Sequence, residues 1–381
     1  MNYPIIIIGT GLAGYQLARE FRRLDTTSDL MLITADEGDF YPKPQLSTAL
    51  TSGKNATTLV TSSAEAMALK LNATLLTHSV VKSIDPIQKA VYIHEEPLFY
   101  KKLILACGAD VIKPPLTGDA TEEILAINHL YHYATFQELI RNKKKIAILG
   151  AGLIGCEFAN DLSNAGYQVH VISPAAAPLD LLVPPQIGHI LQTALEKNGV
   201  FFHFNCIAEL IQKISKGYCL ELSNGNELEV EFILSAVGLK PHIHLAKTAD
   251  VKTNQGILVN RYLQTSVTDI YAIGDCAEVE GHVLPYIAPI LNCARALAAT
   301  LAGNPTPVKY PAMPVVIKTP AHPIAVCPPP KAMFGNWEIE TKNNGTYALF
   351  YNENRVLYGF ILTQDAVKER EVYAKQLPSL F

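Results

Sequence analysis

Short apolar runs recur along the chain and predict strands that are buried on both faces of parallel sheets. The first run, Ile5–Ile8, is too short and too rich in β-branched residues for a helix. Similar runs follow at Leu30–Thr34, Leu103–Ala106, Ile146–Leu149, Val169–Ile172 and Phe232–Val237. Segments with helical spacing of apolar residues separate them, at Tyr15–Phe21, Ser63–Leu71, Tyr133–Arg141, Gln186–Asn198 and Pro289–Leu301. This alternation predicts an α/β fold with doubly wound parallel sheets.

The pattern changes from Pro305, where proline and β-branched residues dominate. Antiparallel strands are predicted at Trp337–Glu340, Tyr347–Tyr351 and Val356–Leu362, and a closing helix at Val367–Leu377. A small C-terminal α+β domain is therefore expected. Earlier in the chain, Val80–Ile84 is predicted as a further short strand.

Three glycines follow the first apolar run in the G-x-G-x-x-G spacing of a dinucleotide-binding turn. Gly9 forms the tight turn, Gly11 lets the backbone approach a pyrophosphate, and Gly14 lets the next helix pack against the strand. The pyrophosphate would lie at the N-terminus of that helix, where free N–H groups favour anions. Asp36 ends the second strand about 20 residues farther on, where such folds place an acid for the ribose hydroxyls. The alternative for Asp36 is an ordinary loop carboxylate, because other acids lie close by.

The same unit occurs a second time, with Gly150, Gly152 and Gly155 after the run that ends at Leu149. Late in the chain another apolar run ends in a Gly-Asp pair. It places Asp275 at the carboxyl edge of a sheet, where doubly wound folds bind ligands. Two dinucleotide sites in one chain indicate the class of protein far more specifically than one site does.

Composition excludes several function classes. The chain has 31 Lys and Arg against 35 Asp and Glu, so no nucleic-acid partner is predicted. No apolar run reaches the roughly 18–20 residues of a membrane helix, and no basic residues precede the apolar N-terminus as in a signal peptide. These features predict a cytoplasmic protein without a membrane partner. The seven cysteines form no C-x-x-C pair, and His129 and His132 lack a third ligand nearby, so no disulfide framework or metal site is predicted.

The motifs together resemble the FAD-dependent pyridine nucleotide–disulfide oxidoreductases, flavoproteins with two dinucleotide-binding domains. Besides the glycines and Asp275, the resemblance covers Leu105–Gly108 and Ala236–Pro241. Four further stretches resemble the NADH–rubredoxin reductases of alkane-oxidising bacteria and their relatives that reduce flavorubredoxin. These are Lys43–Ser47, Gly152–Asp161, Leu284–Ile290 and Val316–Pro320.

The resemblance implies two Rossmann-like domains, of which the NAD(H) domain interrupts the FAD domain, plus the small C-terminal α+β domain. The implied boundaries are residues 1–112 and 241–304 for FAD, 113–240 for NAD(H), and 305–381 for the C-terminal domain. The implied cofactors are FAD and NAD(H).

A set of residues is implied for FAD, with Asp36 at the adenosine ribose and Asp275 at the ribityl chain. The full set is Gly9, Thr10, Gly11, Leu12, Ala13, Gly14, Thr34, Ala35, Asp36, Lys43, Val81, Ala106, Glu157, Asp275, Ile287 and Lys318. Lys43 and Lys318 are expected to reach the flavin as cations, the alternative being solvated surface lysines. Many ferredoxin-reductase relatives instead have a lysine where this chain has Thr48.

A second set is implied for NAD(H): Gly150, Gly152, Leu153, Ile154, Gly155, Glu157, Ser173 and Gly238. Glu157 is expected beside the nicotinamide, with Lys43 as its partner. Ser173 stands where an acid usually selects NADH. Because residues 173–180 contain no Arg or Lys for a 2′-phosphate, NADH is expected over NADPH.

The implied reaction has no catalytic side chain, because the loop Tyr41–Leu50 lacks the redox cysteine of other branches. The flavin, tuned by Lys43, Lys318 and Glu157, would pass single electrons to rubredoxin, a small acidic iron protein. Because this chain has a net charge of −4, docking of rubredoxin would require a local basic patch. Candidates for that patch are Lys43, Arg295, Lys318 and Lys331. The expected protein is a monomer that feeds an alkane hydroxylase. Alternatives are reduction of flavorubredoxin or of a dioxygenase ferredoxin, or a redox-sensing flavoprotein.

Overall fold

A computed structural model describes residues 3–381 of the chain, in which strands and helices alternate as the apolar pattern predicts. The helices are α1 (Leu12–Leu24), α2 (Ala56–Leu59), α3 (Ala64–Leu71), α4 (Leu130–Ile140), α5 (Leu153–Asn164), α6 (Pro185–Lys197), α7 (His244–Thr248), α8 (Ile287–Leu301) and α9 (Arg370–Ala374). Short 3-10 helices lie at Lys43–Thr48, Thr121–Glu123, Gly274–Cys276 and Gln364–Glu369.

The strands are β1 (Ile5–Ile8), β2 (Leu30–Ile33), β3 (Thr74–Leu76), β4 (Ser83–Asp85), β5 (Ala90–Tyr92), β6 (Pro97–Phe99), β7 (Lys102–Leu105), β8 (Ala109–Val111), β9 (Thr117–Gly118), β10 (Leu125–Ala126), β11 (Lys145–Leu149), β12 (Gln168–Ile172), β13 (Val200–His203), β14 (Ala208–Ile214), β15 (Gly217–Leu222), β16 (Glu227–Val230), β17 (Phe232–Ser235), β18 (Leu239–Pro241), β19 (Ile257–Val259), β20 (Ile270–Ala272), β21 (Ala277–Val279), β22 (Val315–Ile317), β23 (Ile324–Cys327), β24 (Gly335–Lys342), β25 (Gly345–Asn352) and β26 (Leu357–Thr363).

The first parallel sheet has the order β20-β7-β1-β2-β3. Strand β1 lies at its centre, and all four of its isoleucines are buried because neighbouring strands and layers cover both faces. Strand β20 pairs in parallel with β7, with Ala272 opposite Leu105. The chain therefore leaves this sheet, builds a second one, and returns to complete the first.

The second parallel sheet has the order β10-β17-β11-β12-β13. Its central strand β11 is buried from Ile146 to Leu149, as the apolar run predicts. An antiparallel sheet of β16, β15 and β14, with β9 added in parallel, packs its apolar side chains beneath it around Ile211 and Leu220. The α/β fold class is confirmed.

The C-terminal segment forms an antiparallel sheet with the order β22-β23-β26-β25-β24. The predicted closing helix at Val367–Leu377 is wrong in its bounds, because a 3-10 helix at Gln364–Glu369 precedes the short α9. Pro378 cannot donate a backbone hydrogen bond, and beyond it Leu380 N donates to Tyr310 O at 2.8 Å. The tail therefore turns back to pair with the segment before β22.

The strand predicted at Val80–Ile84 is also wrong in its bounds, since β4 begins only at Ser83. The chain before it turns at His78, whose φ is 49°. Ser79 N donates to Thr34 O at 2.8 Å, so this segment pairs with the end of β2. Val81 consequently lies in the connection between β3 and β4.

Candidate functional site

The carboxyl ends of β1, β7 and β20 meet at one edge of the first sheet. Gly9 has φ +113°, and a Cβ there would lie 2.2 Å from the Ala106 carbonyl oxygen. A Cβ at Gly14 would lie 1.9 Å from the Gly9 carbonyl oxygen, whereas one at Gly11 would meet no atom of the described residues within 4 Å. The backbone of this turn is therefore tightly packed on its inner side and open above Gly11. An open glycine at the N-terminus of α1 fits a pyrophosphate.

The second sheet repeats this geometry. A Cβ at Gly150 would lie 2.6 Å from the Ala236 carbonyl oxygen, and one at Gly155 would lie 2.0 Å from the Gly150 carbonyl oxygen. Gly152, at the N-terminus of α5, again has open space around it. Both turns thus fit the same kind of ligand group.

The other residues predicted around the first turn lie at the same sheet edge. Thr34 Oγ1 donates to Asp36 at 2.6 Å, and the exposed Asp36 carboxylate also accepts from Gly38 N at 3.0 Å. These bonds fix the loop after β2. Among the remaining predicted residues, Ala13 is buried against the first core, Val81 packs on it, and Thr10, Leu12 and Ala35 flank the turn or loop.

Asp275 comes to this edge on the 3-10 helix after β20. A Cβ at Gly274 would lie 2.7 Å from the Cβ of Ala13, so the turn packs tightly against α1. Burial raises the pKa of the Asp275 carboxyl, and the nearby Lys43 ammonium opposes that shift. The reverse holds for Lys43, whose pKa is lowered by burial and held up by Asp275.

The Lys43 side chain is directed to Asn128, with Nζ donating to Asn128 Oδ1 at 2.8 Å. The predicted partnership of Lys43 with Glu157 is therefore wrong. Ser47, one turn later in the same 3-10 helix, is the residue that faces Glu157 and donates to it. The Lys43 ammonium and the Glu157 carboxylate therefore have different partners.

Glu157, in the first half of α5, is buried and joins three segments of the chain. Its partner is Lys318, whose Nζ lies 2.5 Å from Glu157 Oε2 and whose backbone N donates to Oε1 at 2.8 Å. The same Nζ donates to Pro44 O at 2.7 Å and to Ser47 Oγ at 3.1 Å. The Glu157 side chain is fully buried and that of Lys318 is 34% exposed. We call this cluster of Pro44, Ser47, Glu157 and Lys318 the junction.

Two more side chains of α5 extend the junction, and the sequence analysis did not identify them. Asn160 Oδ1 accepts from Ala321 N at 3.0 Å. The Asp161 carboxylate accepts from Leu50 N and Thr51 N, both at 2.9 Å. All three α5 side chains lie on one face because they are spaced i, i+3 and i+4. The polar residues at this spacing in α5 were the available signal.

Helix α8 begins beside the first site, with Ile287 as its first residue and 47% exposed. Its first turn has no acidic residue, so the positive end of its dipole is not compensated locally.

The residues predicted around the second turn lie at the carboxyl edge of the second sheet. Ser173 follows β12 and is buried, and its Oγ accepts from Ala175 N at 3.3 Å. Ile154 is 43% exposed in the first turn of α5, beside Leu153. Gly238 is exposed, with φ +119°. The Ser173 hydroxyl is thus engaged with its own loop.

Within residues 3–381 all seven cysteines are free thiols, and no group of three His, Cys, Asp or Glu is placed to hold a metal ion. Burial raises the pKa of the Cys276 thiol to about 11, and that of Cys107 well above its usual value. Both thiols near the first site therefore stay protonated at neutral pH. Across residues 3–381, no helix is long and apolar enough to span a bilayer.

Two family models match the chain. Residues 3–298 match the pyridine nucleotide-disulphide oxidoreductase model, and residues 307–377 match the model of a rubredoxin binding C-terminal domain.

Full-length relatives carry related names. A protein of Alcanivorax borkumensis named rubredoxin-NAD(+) reductase is 46% identical over 379 residues, covering 99% of both chains. A nitric oxide reductase FlRd-NAD(+) reductase of Aliivibrio fischeri is 38% identical and covers 97% of both chains.

Among solved structures, the ferredoxin reductase for the CYP199A2 system of Rhodopseudomonas palustris has the same fold. It superposes with a TM-score of 0.89 at 24% identity, over 99% of this chain and 95% of the other. The paired glycine turns, the returning strand β20 and the match over residues 3–298 agree with one another. The chain belongs to the pyridine nucleotide-disulphide oxidoreductase family.

Proposed function

We propose that this protein transfers electrons from NADH, through FAD held at the first sheet, to rubredoxin. One observation carries the proposal. The segment that matches the rubredoxin-binding model, residues 307–377, supplies Lys318 to the junction, where it contacts both the Pro44–Ser47 loop and Glu157 of α5. The segment related to partner binding is thus in contact with both dinucleotide-binding folds. Bound FAD supplies the chemistry, because it accepts a hydride and releases single electrons.

The first turn is assigned to FAD and the second to NADH. Asp275, which returns to the first sheet on β20, supplies a carboxylate for a hydroxyl-bearing ligand chain, and no described residue donates a hydrogen bond to it. Gly152 and α5 provide the second pyrophosphate cradle. The implied domain boundaries at residues 112, 240 and 304 remain part of this proposal.

Positive groups border the first site. Lys43 and Lys318 carry ammonium charges, and the N-terminus of α8 adds the positive end of a helix dipole. The Lys43 ammonium, which has no ion-pair partner among the described residues, and the helix dipole stabilise the negative charge that develops there on reduction, whereas the Lys318 ammonium is paired with Glu157. Glu157 acts through Lys318 by fixing its Nζ, since both of its oxygens are already occupied.

Electrons leave without a thiol relay. The loop Tyr41–Leu50 has no cysteine, and the protonated thiols of Cys107 and Cys276 are not nucleophiles at neutral pH. A one-electron carrier that docks near the flavin can take these electrons directly from it.

NADH is proposed as the donor. The loop at residues 173–180 has no Lys or Arg, so it offers no cation for a 2′-phosphate. A cytoplasmic location and a rubredoxin that serves an alkane hydroxylase complete the proposal.

Reduction of flavorubredoxin is the second candidate, and the 38% identical relative from Aliivibrio fischeri supports it. The higher identity of 46% to the relative named rubredoxin-NAD(+) reductase favours rubredoxin.

We expect the purified protein to carry FAD, to be reduced rapidly by NADH and slowly by NADPH, and to reduce rubredoxin faster than flavorubredoxin or a ferredoxin. Stopped-flow absorbance with each donor and acceptor measures these rates. Ferricyanide reduction is the control for flavin reduction alone. Rapid flavin reduction with slow transfer to every carrier protein would reject the proposal and favour a redox sensor.

Gly11→Ala and Gly152→Ala distinguish the two cofactor sites. Neither Cβ meets an atom of residues 3–381 within 4 Å, so both variants should fold. Gly11→Ala should purify with little flavin, because the methyl group occupies the space of the pyrophosphate. Gly152→Ala should keep its flavin and show a KM for NADH raised by roughly 10-fold or more. Flavin content and NADH titration measure the two effects, and the opposite outcome would exchange the assignments.

Charge around the rubredoxin-binding segment gives a further prediction. Residues 281–337 contain no Asp or Glu, and among their cations Arg295, Lys309 and Lys331 are exposed. Lys43, turned to Asn128, is less suited to the patch predicted from the sequence. Lys331→Glu should slow reduction of acidic rubredoxin by roughly 3- to 10-fold at low salt, with the difference vanishing at high salt.

Lys197→Glu is the matched control, because it makes the same charge change at an exposed lysine of α6. Ferricyanide reduction should be alike in both variants. Equal slowing by the two substitutions, or none by Lys331→Glu at any salt, would contradict docking at residues 281–337.

A further inference from the structure

The two flanking prolines constrain the backbone of Lys43, but they do not fix the position of its ammonium group. Pro42 and Pro44 flank it and limit the loop, but the lysine stem is flexible. Among residues 3–381, the hydrogen bond to Asn128 Oδ1 at 2.8 Å is the one that its Nζ makes, and no carboxylate lies within ion-pair distance. An ammonium has three donors, so two remain for a ligand. The position of the charge therefore depends on Asn128.

Asn128 is itself held from two directions. Its Nδ2 donates to Ala109 O at 2.9 Å, which sets the amide so that Oδ1 faces Lys43. Its backbone N donates to Nδ1 of His132 at 3.4 Å. Two residues farther on, Leu130 N donates to the Tyr41 hydroxyl at 3.2 Å. The segment Asn128–Leu130 thus contacts the loop Tyr41–Leu50, which we call the lysine loop, at Lys43 and at Tyr41.

An amide and a carboxylate have the same shape, but they would act differently here. Either oxygen accepts a hydrogen bond from an ammonium, yet aspartate would also neutralise it and could not donate to Ala109 O. Asn128 therefore fixes Lys43 without cancelling its charge. We propose that Asn128 is a positioning residue that presents Lys43 to the flavin as a cation without an ion-pair partner. This inference rests on the proposed function.

Few other charges act on Lys43. Asp275 approaches it from the 3-10 helix after β20, and His129 and His132 from the start of α4. Burial lowers the pKa of both histidines, that of His132 to about 4, so they are neutral at pH 7. Asp36 and Glu37 act on His129. Between pH 7 and the pKa of Lys43, the Lys43 charge is the one in this group that changes.

Two substitutions at Asn128 test the role in opposite directions. In Asn128→Asp a new negative charge raises the Lys43 pKa, so the alkaline limb of the pH profile for flavin reduction should move to higher pH. In Asn128→Leu the acceptor is lost and the pKa falls, so that limb should move to lower pH, each by about one pH unit. A purely structural role predicts the same direction for both, since both lose the bond to Ala109 O.

The flavin midpoint potential is the second readout, measured by chemical reduction without NADH or rubredoxin. It should be lower in Asn128→Asp than in the wild type, because the compensated lysine no longer stabilises the reduced flavin. Asn226→Asp, on the exposed turn before β16, makes the same change of charge and should leave both readouts unchanged.

Shifts in one direction for both variants, or none in either, would overturn the inference while leaving the proposed function intact. A wild type that NADH does not reduce would overturn the function, and the potentials would still test Asn128. If Asn128→Asp does not fold, Asn128→Gln takes its place. It keeps a neutral acceptor and should restore the profile that Asn128→Leu loses, and failure to do so would also contradict the role.

Discussion

Water cannot reach a fully buried carboxylate, so its ion-pair and hydrogen-bond partners must be groups of the protein. Glu157 is such a carboxylate. Its side chain is fully buried, and Lys318 and Ser47 satisfy both of its oxygens. An unpaired charge in this place would cost several kcal/mol. The fold therefore tolerates Glu157 only where the lysine loop, α5 and the segment after β22 come together.

That requirement fixes more than one ion pair. On the same face of α5, Asn160 bonds the backbone at Ala321, and Asp161 bonds the backbone at Leu50 and Thr51. One helix thus holds both the lysine loop and the C-terminal segment through short polar contacts. These contacts set where Lys318 lies, while Asn128 sets where Lys43 lies. The neutral Asn128 positions Lys43, and the charged Glu157 positions Lys318. A substitution at Asn128 should therefore affect Lys43, and one at Glu157 should affect Lys318.

Local sequence signals were sufficient for the sheets and the glycine turns. The isoleucines of β1 and the spacing of Gly9, Gly11 and Gly14 act over a few residues, so their structure follows from local rules. The partners of Lys43 and Glu157 depend on contacts between residues 85 and 161 positions apart, and no local pattern specifies them. For the same reason the pairing of Lys43 with Glu157 was wrong. The course of the tail after α9 likewise depends on a contact distant in sequence, the hydrogen bond from Leu380 N to Tyr310 O.

The claim that the Glu157 charge depends on Lys318 is tested most directly by stability to urea in four proteins. They are the wild type, Glu157→Gln, Lys318→Met and the double variant, compared at equal flavin content. Lys318→Met leaves a buried charge unpaired and should lose about 3–5 kcal/mol of unfolding free energy. Adding Glu157→Gln to it should then restore part of the loss. Losses that simply add would contradict the account.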